Sequence, residues 1–203
     1  AQKGEVPVSV LVMPRDEDEA QGEVLLYTRQ GMVKRTAWSE YQLQKASYQG
    51  YKGKDGDEVF KAELVRPDTE IFYVTNKGGC VRFDVSEVPL QGRVAGGVHC
   101  INLGKDEVVV WVGQVDKEKG EVVMITDKGF MKRLAVKDIA NHARNCKGAK
   151  GIEFGNNGTC VVFADYVNGE HYKLAVIDRA NTLVVDTSEI SVESKNHKGK
   201  LPK

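Results

Sequence analysis

The sequence predicts an all-β chain assembled from repeated, propeller-like four-stranded blades. Three observations carry this reading. One hairpin motif recurs in order at intervals near fifty residues, a glycine closes its turn in three of the copies, and no segment carries a long 3.6-residue apolar stripe.

Residues 22–35, 69–82 and 120–133 nearly superimpose, and 173–185 form a weaker fourth copy. The anchors Thr28, Thr75, Thr126 and Asp178 are 47, 51 and 52 residues apart. In each copy a β-rich run enters, a polar turn follows, and a second short strand leaves. Gly31, Gly78 and Gly129 supply the positive φ such a turn needs, and Asn181 stands in the fourth copy. A polar stretch then leads through glycines to a third strand, at 96–101 and 150–154. A fourth strand closes each copy at 58–62, 108–112 and 160–164, after the short turns Gly56-Asp57, Lys105-Asp106 and Asn157-Gly158. Trp38 to Ala46 and Val136 to Ala143 have room for one helical turn. The strand Tyr, Val, Ile and Trp residues read as core.

The blades fall at about 22–66, 67–116, 117–168 and 169–203 of a single domain spanning 1–203. Residues 6–21 read as the closing strand of a preceding blade, with Val8-Ser9-Val10-Leu11-Val12 as the strand itself. The fourth copy stops at its third-strand region, Lys198-Gly199-Lys200-Leu201. Two arrangements follow: the orphan strand completes the last blade and shuts a small ring, or the chain is a piece of a longer array.

Composition bounds the function. Of 203 residues 41% are hydrophobic and 29% charged, values of a globular chain. No apolar run approaches the ~20 residues that span a bilayer, and the first residues lack the apolar core of a signal peptide. A cytoplasmic protein with no membrane partner is expected. Cys80, Cys100, Cys146 and Cys160 form no C-x-x-C pair and have no histidine at zinc-finger spacing. Small buried thiols are expected, with no metal and no disulfide. His99, His142, His171 and His197 have no neighbouring nucleophile, so no catalytic group is assigned.

The formal net charge is zero, from 29 basic and 29 acidic residues, but it is unevenly spread. Residues 22–66 carry +2 and 117–168 carry +3, whereas 1–21 and 67–116 each carry −3. The basic residues recur in phase. Lys34-Arg35 and Lys132-Arg133 follow the turn glycine by three and four residues, and the second copy keeps only Arg82, with Val81 in the lysine position. Strand side chains alternate, so the lysines and the arginines point to opposite faces and only one set can line a given surface. A second basic cluster precedes each third strand: Lys52 and Lys54; Arg93; Arg144, Lys147 and Lys150; then Lys195, Lys198 and Lys200. Blades set side by side turn such loops into a stripe suited to a phosphate backbone.

These residues carry a family resemblance. The repeated Thr-x-x-Gly-x-x-Lys-Arg hairpin, together with Gly92-Arg93-Val94-Ala95-Gly96-Gly97-Val98, resembles the C-terminal domain of the A subunit of bacterial type IIA topoisomerases, over about Val6 to Leu201. That domain is a β-pinwheel, whose blades exchange strands with their neighbours. The resemblance implies a rim that binds and bends double-stranded DNA and presents it to the strand-passage core. It also implies two protein partners, the ATPase subunit of the topoisomerase together with the catalytic core of the same polypeptide, and a nucleoid-associated location. No cofactor is implied in this domain, since ATP and Mg belong to other parts of the holoenzyme. The heptapeptide Gln-Arg-Arg-Gly-Gly-Lys-Gly of the gyrase member of the family is absent. The nearest string is Gln49-Gly50-Tyr51-Lys52-Gly53-Lys54, so the chain looks more like topoisomerase IV, in the order of the last four blades of a six-bladed domain. The gyrase DNA-wrapping domain is the alternative within the family.

The expected DNA contacts are Lys34, Arg35, Lys52, Lys54, Arg82, Arg93, Lys132, Arg133, Lys147 and Lys150. Of the competing classes, a protein-interaction propeller finds support in the acidic run Asp16-Glu17-Asp18-Glu19. An enzyme in a central channel finds none, because no acid/base pair recurs.

Overall fold

Thirteen strands and four 3-10 turns make up the regular structure of the described residues, 4–12, 22–177 and 181–202 of a computed structural model. The anchor Asp178 and the acidic run from Asp16 to Glu19 lie outside the described residues. The repeated hairpins are β1 (Glu23–Thr28) with β2 (Met32–Ala37), β4 (Thr69–Thr75) with β5 (Gly79–Asp84), β8 (Glu121–Thr126) with β9 (Met131–Ala135), and β12 (Lys173–Ile177) with β13 (Thr182–Asp186).

The motif explains its own turn. The hydroxyls of Thr28, Thr75 and Thr126 accept the backbone N–H of Met32, Gly79 and Phe130 at 3.0, 3.0 and 3.2 Å. The glycine at the third turn position has φ of 77°, 74° and 76° in the three copies. Each motif therefore caps a turn locally, and each of these copies forms the same hairpin.

Closing strands β3 (Val59–Leu64), β7 (Val109–Asp116) and β11 (Val161–Val167) add antiparallel to β1, β4 and β8. A bulge interrupts all three pairings at the threonine end of the hairpin. The third strands belong elsewhere. β6 (Val98–His99), which follows β5 in the chain, pairs with β2 of the preceding copy. β10 (Ala149–Lys150) pairs with β5, and Lys200 bridges Met131 of β9. Four strands share a sheet, as the repeat predicts, but one of them comes from the next copy. The sheets are β3-β1-β2-β6, β10-β5-β4-β7, β11-β8-β9 and β12-β13. Among the described residues the first two have four strands, the third has three and the fourth has two.

Glycine makes the exchange possible. Gly97 has φ 75°, and a Cβ there would sit 2.5 Å from the Val33 carbonyl oxygen; Gly199, at φ 78°, would meet the Met131 oxygen at 2.7 Å. The incoming strand passes too close to the neighbour's hairpin for any side chain.

The core lies between blades. Every residue of β4 is buried. Its Ile71 and Tyr73 pack toward the first hairpin, with Leu25, Tyr27 and Val33, whereas Phe72 and Val74 pack toward the third, with Val122, Met124 and Leu134. Val123 and Ile125 of β8 reach a third cluster with Val185 and Ile190. A continuous apolar run is what a sheet covered on both faces requires. The segment expected as a closing strand, Val8 to Val12, joins no ladder among the described residues, and Val8, Val10 and Val12 are exposed. The Ala62 N–H donates to the Ser9 hydroxyl at 2.9 Å and ties the segment to β3. The helical turns shrink to 3-10 turns at Trp38–Tyr41 and Val136–Asp138, matched by Val85–Glu87 and Thr187–Glu189.

Candidate nucleic-acid interface

Both residues of the hairpin Lys-Arg pair are engaged by the protein itself, the lysines completely and the arginines in part. Lys34 and Lys132 are completely buried. The Lys34 ammonium donates to the Gly50 and Arg93 carbonyls, with the Tyr41 and Tyr51 rings each 5.7 Å away. Lys132 Nζ donates to the carbonyls of Gly151 (2.9 Å), Ser194 (2.7 Å) and His197 (3.2 Å). Burial pulls both ammonium groups down to about 8. The strand exchange closes loops from two copies over each lysine, which a single copy's alternation does not reveal.

The arginines are also engaged inside the protein. Arg82 lies 2.9 Å from Glu70, with both side chains buried, and donates to the Lys117 and Val136 carbonyls at 3.1 Å each. Arg133 pairs with Glu121 at 2.9 Å and donates to Ile190 O at 2.8 Å. Arg35 faces Glu23 at 3.4 Å. Each glutamate opens its hairpin one step diagonal to the arginine: Glu70 opposes Asp84 while Phe72 opposes Arg82. The repeated motif is a diagonal Glu–Arg pair. In the second and third copies its arginine also grips the 3-10 turn region of the next blade.

The loop cluster behaves as expected of a surface. Lys52, Lys54, Lys147 and Lys150 are exposed, and Arg93 is half-buried. The exchange gathers these residues at blade edges. Lys54 Nζ comes within 3.3 Å of His99 Nε2 on β6, and Lys52 N–H donates to Ala95 O at 3.4 Å. Arg93 donates to Gln49 O, and its guanidinium lies 5.2 Å over the Tyr48 ring. Arg144 extends the stripe to the next copy by donating to His99 O at 3.2 Å and to Glu87 O at 3.1 Å. Lys147 continues it, and Lys150 is ion-paired with Glu153. At the third blade Lys128 and Lys198 both reach Asn156, at 3.4 Å each.

His99 and Lys128 are members of these clusters that motif spacing does not mark. The signal for them is the one-copy offset between hairpin and third strand. The glycines flanking the loops serve the crossing backbone.

Among the described residues no group of three or more His, Cys, Asp or Glu side chains could hold a metal ion, and no helix is long and apolar enough to cross a membrane. All four cysteines are free. Cys80 and Cys100 are buried and their thiols are pushed up to about 12 by desolvation, while Cys146 and Cys160 are half-exposed.

Comparison with known proteins agrees with the architecture. The family described as "DNA gyrase C-terminal domain, beta-propeller" matches residues 22–66, 69–116 and 120–163. The DNA gyrase A subunit of Escherichia coli is 30% identical over 189 residues, 93% of this chain, and that of Ureaplasma parvum is 28% identical over 94% of it. The chain spans only 22% and 23% of those two relatives. Among solved structures, the C-terminal domain of DNA topoisomerase IV superposes with a TM-score of 0.84 at 24% identity, covering 93% of this chain and 59% of that one. The DNA gyrase A C-terminal domain gives 0.76 at 25%, covering 91% and 62%. With three successive segments matched over more than half of its length, the chain belongs to the DNA gyrase C-terminal domain family.

Proposed function

We propose that this chain binds and bends duplex DNA through sequence-independent phosphate contacts, and presents it to the strand-passage core of its own polypeptide. One observation carries the reading: strand exchange brings basic loops of successive copies to shared edges, as at Lys54 and His99. The contacts are assigned to Lys52, Lys54, Arg93, Lys147 and Lys150, with Arg144, Lys195 and Lys198 on the same loops. Flexible, exposed ammonium groups suit a phosphate backbone because they neutralise charge without reading bases. Bending follows when one duplex meets basic loops on successive blades, each added interaction offsetting deformation. Catalysis is assigned to other parts of the enzyme, as are ATP and Mg. The partners are the ATPase subunit, the catalytic core and cytoplasmic, nucleoid-associated DNA.

A gel-shift titration at two salt concentrations tests this. Lys52→Gln with Lys54→Gln should weaken binding to any duplex and lower the log–log salt slope by ~0.9 for each phosphate no longer neutralised. Equal affinity of parent and variant at both concentrations would refute the assignment. We assign the domain to a topoisomerase IV rather than a gyrase because the heptapeptide is absent and the second copy and the N-terminal segment offset the basic excess of the first and third copies. The gyrase reading is favoured by the names of the curated relatives. Supercoil constraint on a relaxed plasmid separates them: strong constraint marks a wrapping gyrase domain, and modest bending marks topoisomerase IV.

A further inference from the structure

We infer that Lys34 and Lys132 are positioning residues that set the DNA-facing loops from beneath, an inference resting on the DNA-binding reading above. The carbonyls they hold are not arbitrary. Lys34 takes Gly50 O, two residues before Lys52, and the carbonyl of Arg93 itself. Lys132 takes Gly151 O, beside Lys150; Ser194 O, beside Lys195; and His197 O, beside Lys198. Every carbonyl lies on, or within two residues of, a basic residue of the exposed cluster. Turning a carbonyl inward onto a buried cation fixes the two backbone dihedrals that flank it, and so fixes the direction of the neighbouring side chains.

Each lysine also joins two copies. Gly50 and Gly151 belong to the lysine's own copy, whereas Arg93, Ser194 and His197 belong to the next. One ammonium therefore sets both loops at a shared edge in a single relative position. Lys132, with three acceptors and complete burial, is saturated by the protein and has no N–H left for a phosphate. The second copy makes the contrast. Val81 replaces the lysine there, and the loop that crosses onto that blade is held instead by Arg144, through its N–H to Glu87 Oε2 (3.0 Å) and its guanidinium to Glu87 O.

Three measurements on the full chain test the inference. First, acylation of free and duplex-bound protein by an amine-reactive reagent, read by mass spectrometry, should leave Lys34 and Lys132 unmodified in both states. Lys52, Lys54, Lys195 and Lys198 should react when free and be protected by DNA. Rapid labelling of Lys132 in the free protein, suppressed by DNA, would make it a direct contact and overturn the proposal. Second, Lys132→Met should speed amide exchange locally at 194–199, and Lys34→Met at 50–54 and 92–97. Third, each variant should weaken duplex binding roughly two- to thirtyfold, the range for substitutions acting through intervening structure. Leu134→Ala, a buried change on the same hairpin with no side-chain bond to the loops, is the control for simple destabilisation. A matching affinity loss in Leu134→Ala, or no loss in Lys132→Met, would refute positioning. If the parent shows no salt-dependent duplex binding, the functional reading fails, while labelling and exchange still decide whether the lysines hold the loops.

Discussion

Removing the carboxylate of Glu70 tests whether the repeated Glu–Arg diagonal contributes through burial. In the second blade the ion pair is 2.9 Å long, and its side chains retain 6% and 9% of their exposure. Asn141 Nδ2 donates to Glu70 Oε1 at 2.6 Å, and Arg82 donates to two carbonyls, so each ion has neutral partners besides its counter-ion. Glu70→Gln leaves a buried guanidinium without its counter-charge, a change that costs about 3–5 kcal/mol. In the first blade Glu23 and Arg35 are 3.4 Å apart, with side chains 30% and 19% exposed. Water screens that pair, and Glu23→Gln should cost about 1 kcal/mol or less. At roughly 2–4 °C per kcal/mol for a chain of this size, the two variants should differ in Tm by about 4–20 °C. Urea unfolding of both, and of the Glu70→Gln/Arg82→Met double variant, is the assay. The double variant should recover part of the loss, because replacing both ions removes the unpaired charge. Equal costs for Glu70→Gln and Glu23→Gln, or strict additivity in the double variant, would refute the reasoning.

The remaining predictions concern pH and the crossing backbone. Lys34 and Lys132 titrate near 8 when folded against an ordinary 10.5, so between those values the unfolded chain holds their protons longer and the two lysines make stability rise with pH, a rise that the buried Cys80 and Cys100 thiols, raised from 9.0 to about 12, oppose above about 9. Lys132→Met should flatten that rise in urea midpoints compared between about pH 7.5 and 9.5, below the titration of unfolded tyrosines. Asp84 is held down to about 2 by hydrogen bonds from Lys117 and Ser86. Its contribution is present above 3.8 and lost as pH falls through about 2, so Asp84→Asn should lessen acid sensitivity in that range. Gly97→Ala should destabilise the chain more than Gly129→Ala by denaturant titration. Both residues need positive φ, but only Gly97 faces a backbone oxygen, 2.5 Å from the added Cβ, whereas Gly129 has open space.

The hairpins and the charge clusters were legible from local rules. Threonine capping and a glycine at positive φ act within a few residues, so the Thr-x-x-Gly turn announces itself. Continuous apolar runs mark β4 and β8 as strands, and their burial on both faces fits those runs. The basic loops before the third strands are rich in glycine and charge, and they do lie at the surface. The phase rule also held in form: Lys34 and Arg35 do point to opposite faces.

What the sequence by itself determined is therefore the repeat, its strands and the placement of flexible cations in loops, since these depend on contacts within one copy. Only the tertiary structure decided which cations reach solvent. Alternation says that Lys132 and Arg133 face opposite ways, but not that both faces are covered. That depends on loops from the next copy, some sixty residues away in Ser194 and His197, folding over the hairpin. Val8 to Val12 shows the same limit from the other side. A strand-like alternation forms a strand only where a free sheet edge meets it, and here a bond to Ser9 holds the segment against β3 without a ladder. Strand exchange is a property of neighbours, and it turned the most regular basic motif of this chain into its internal fastening.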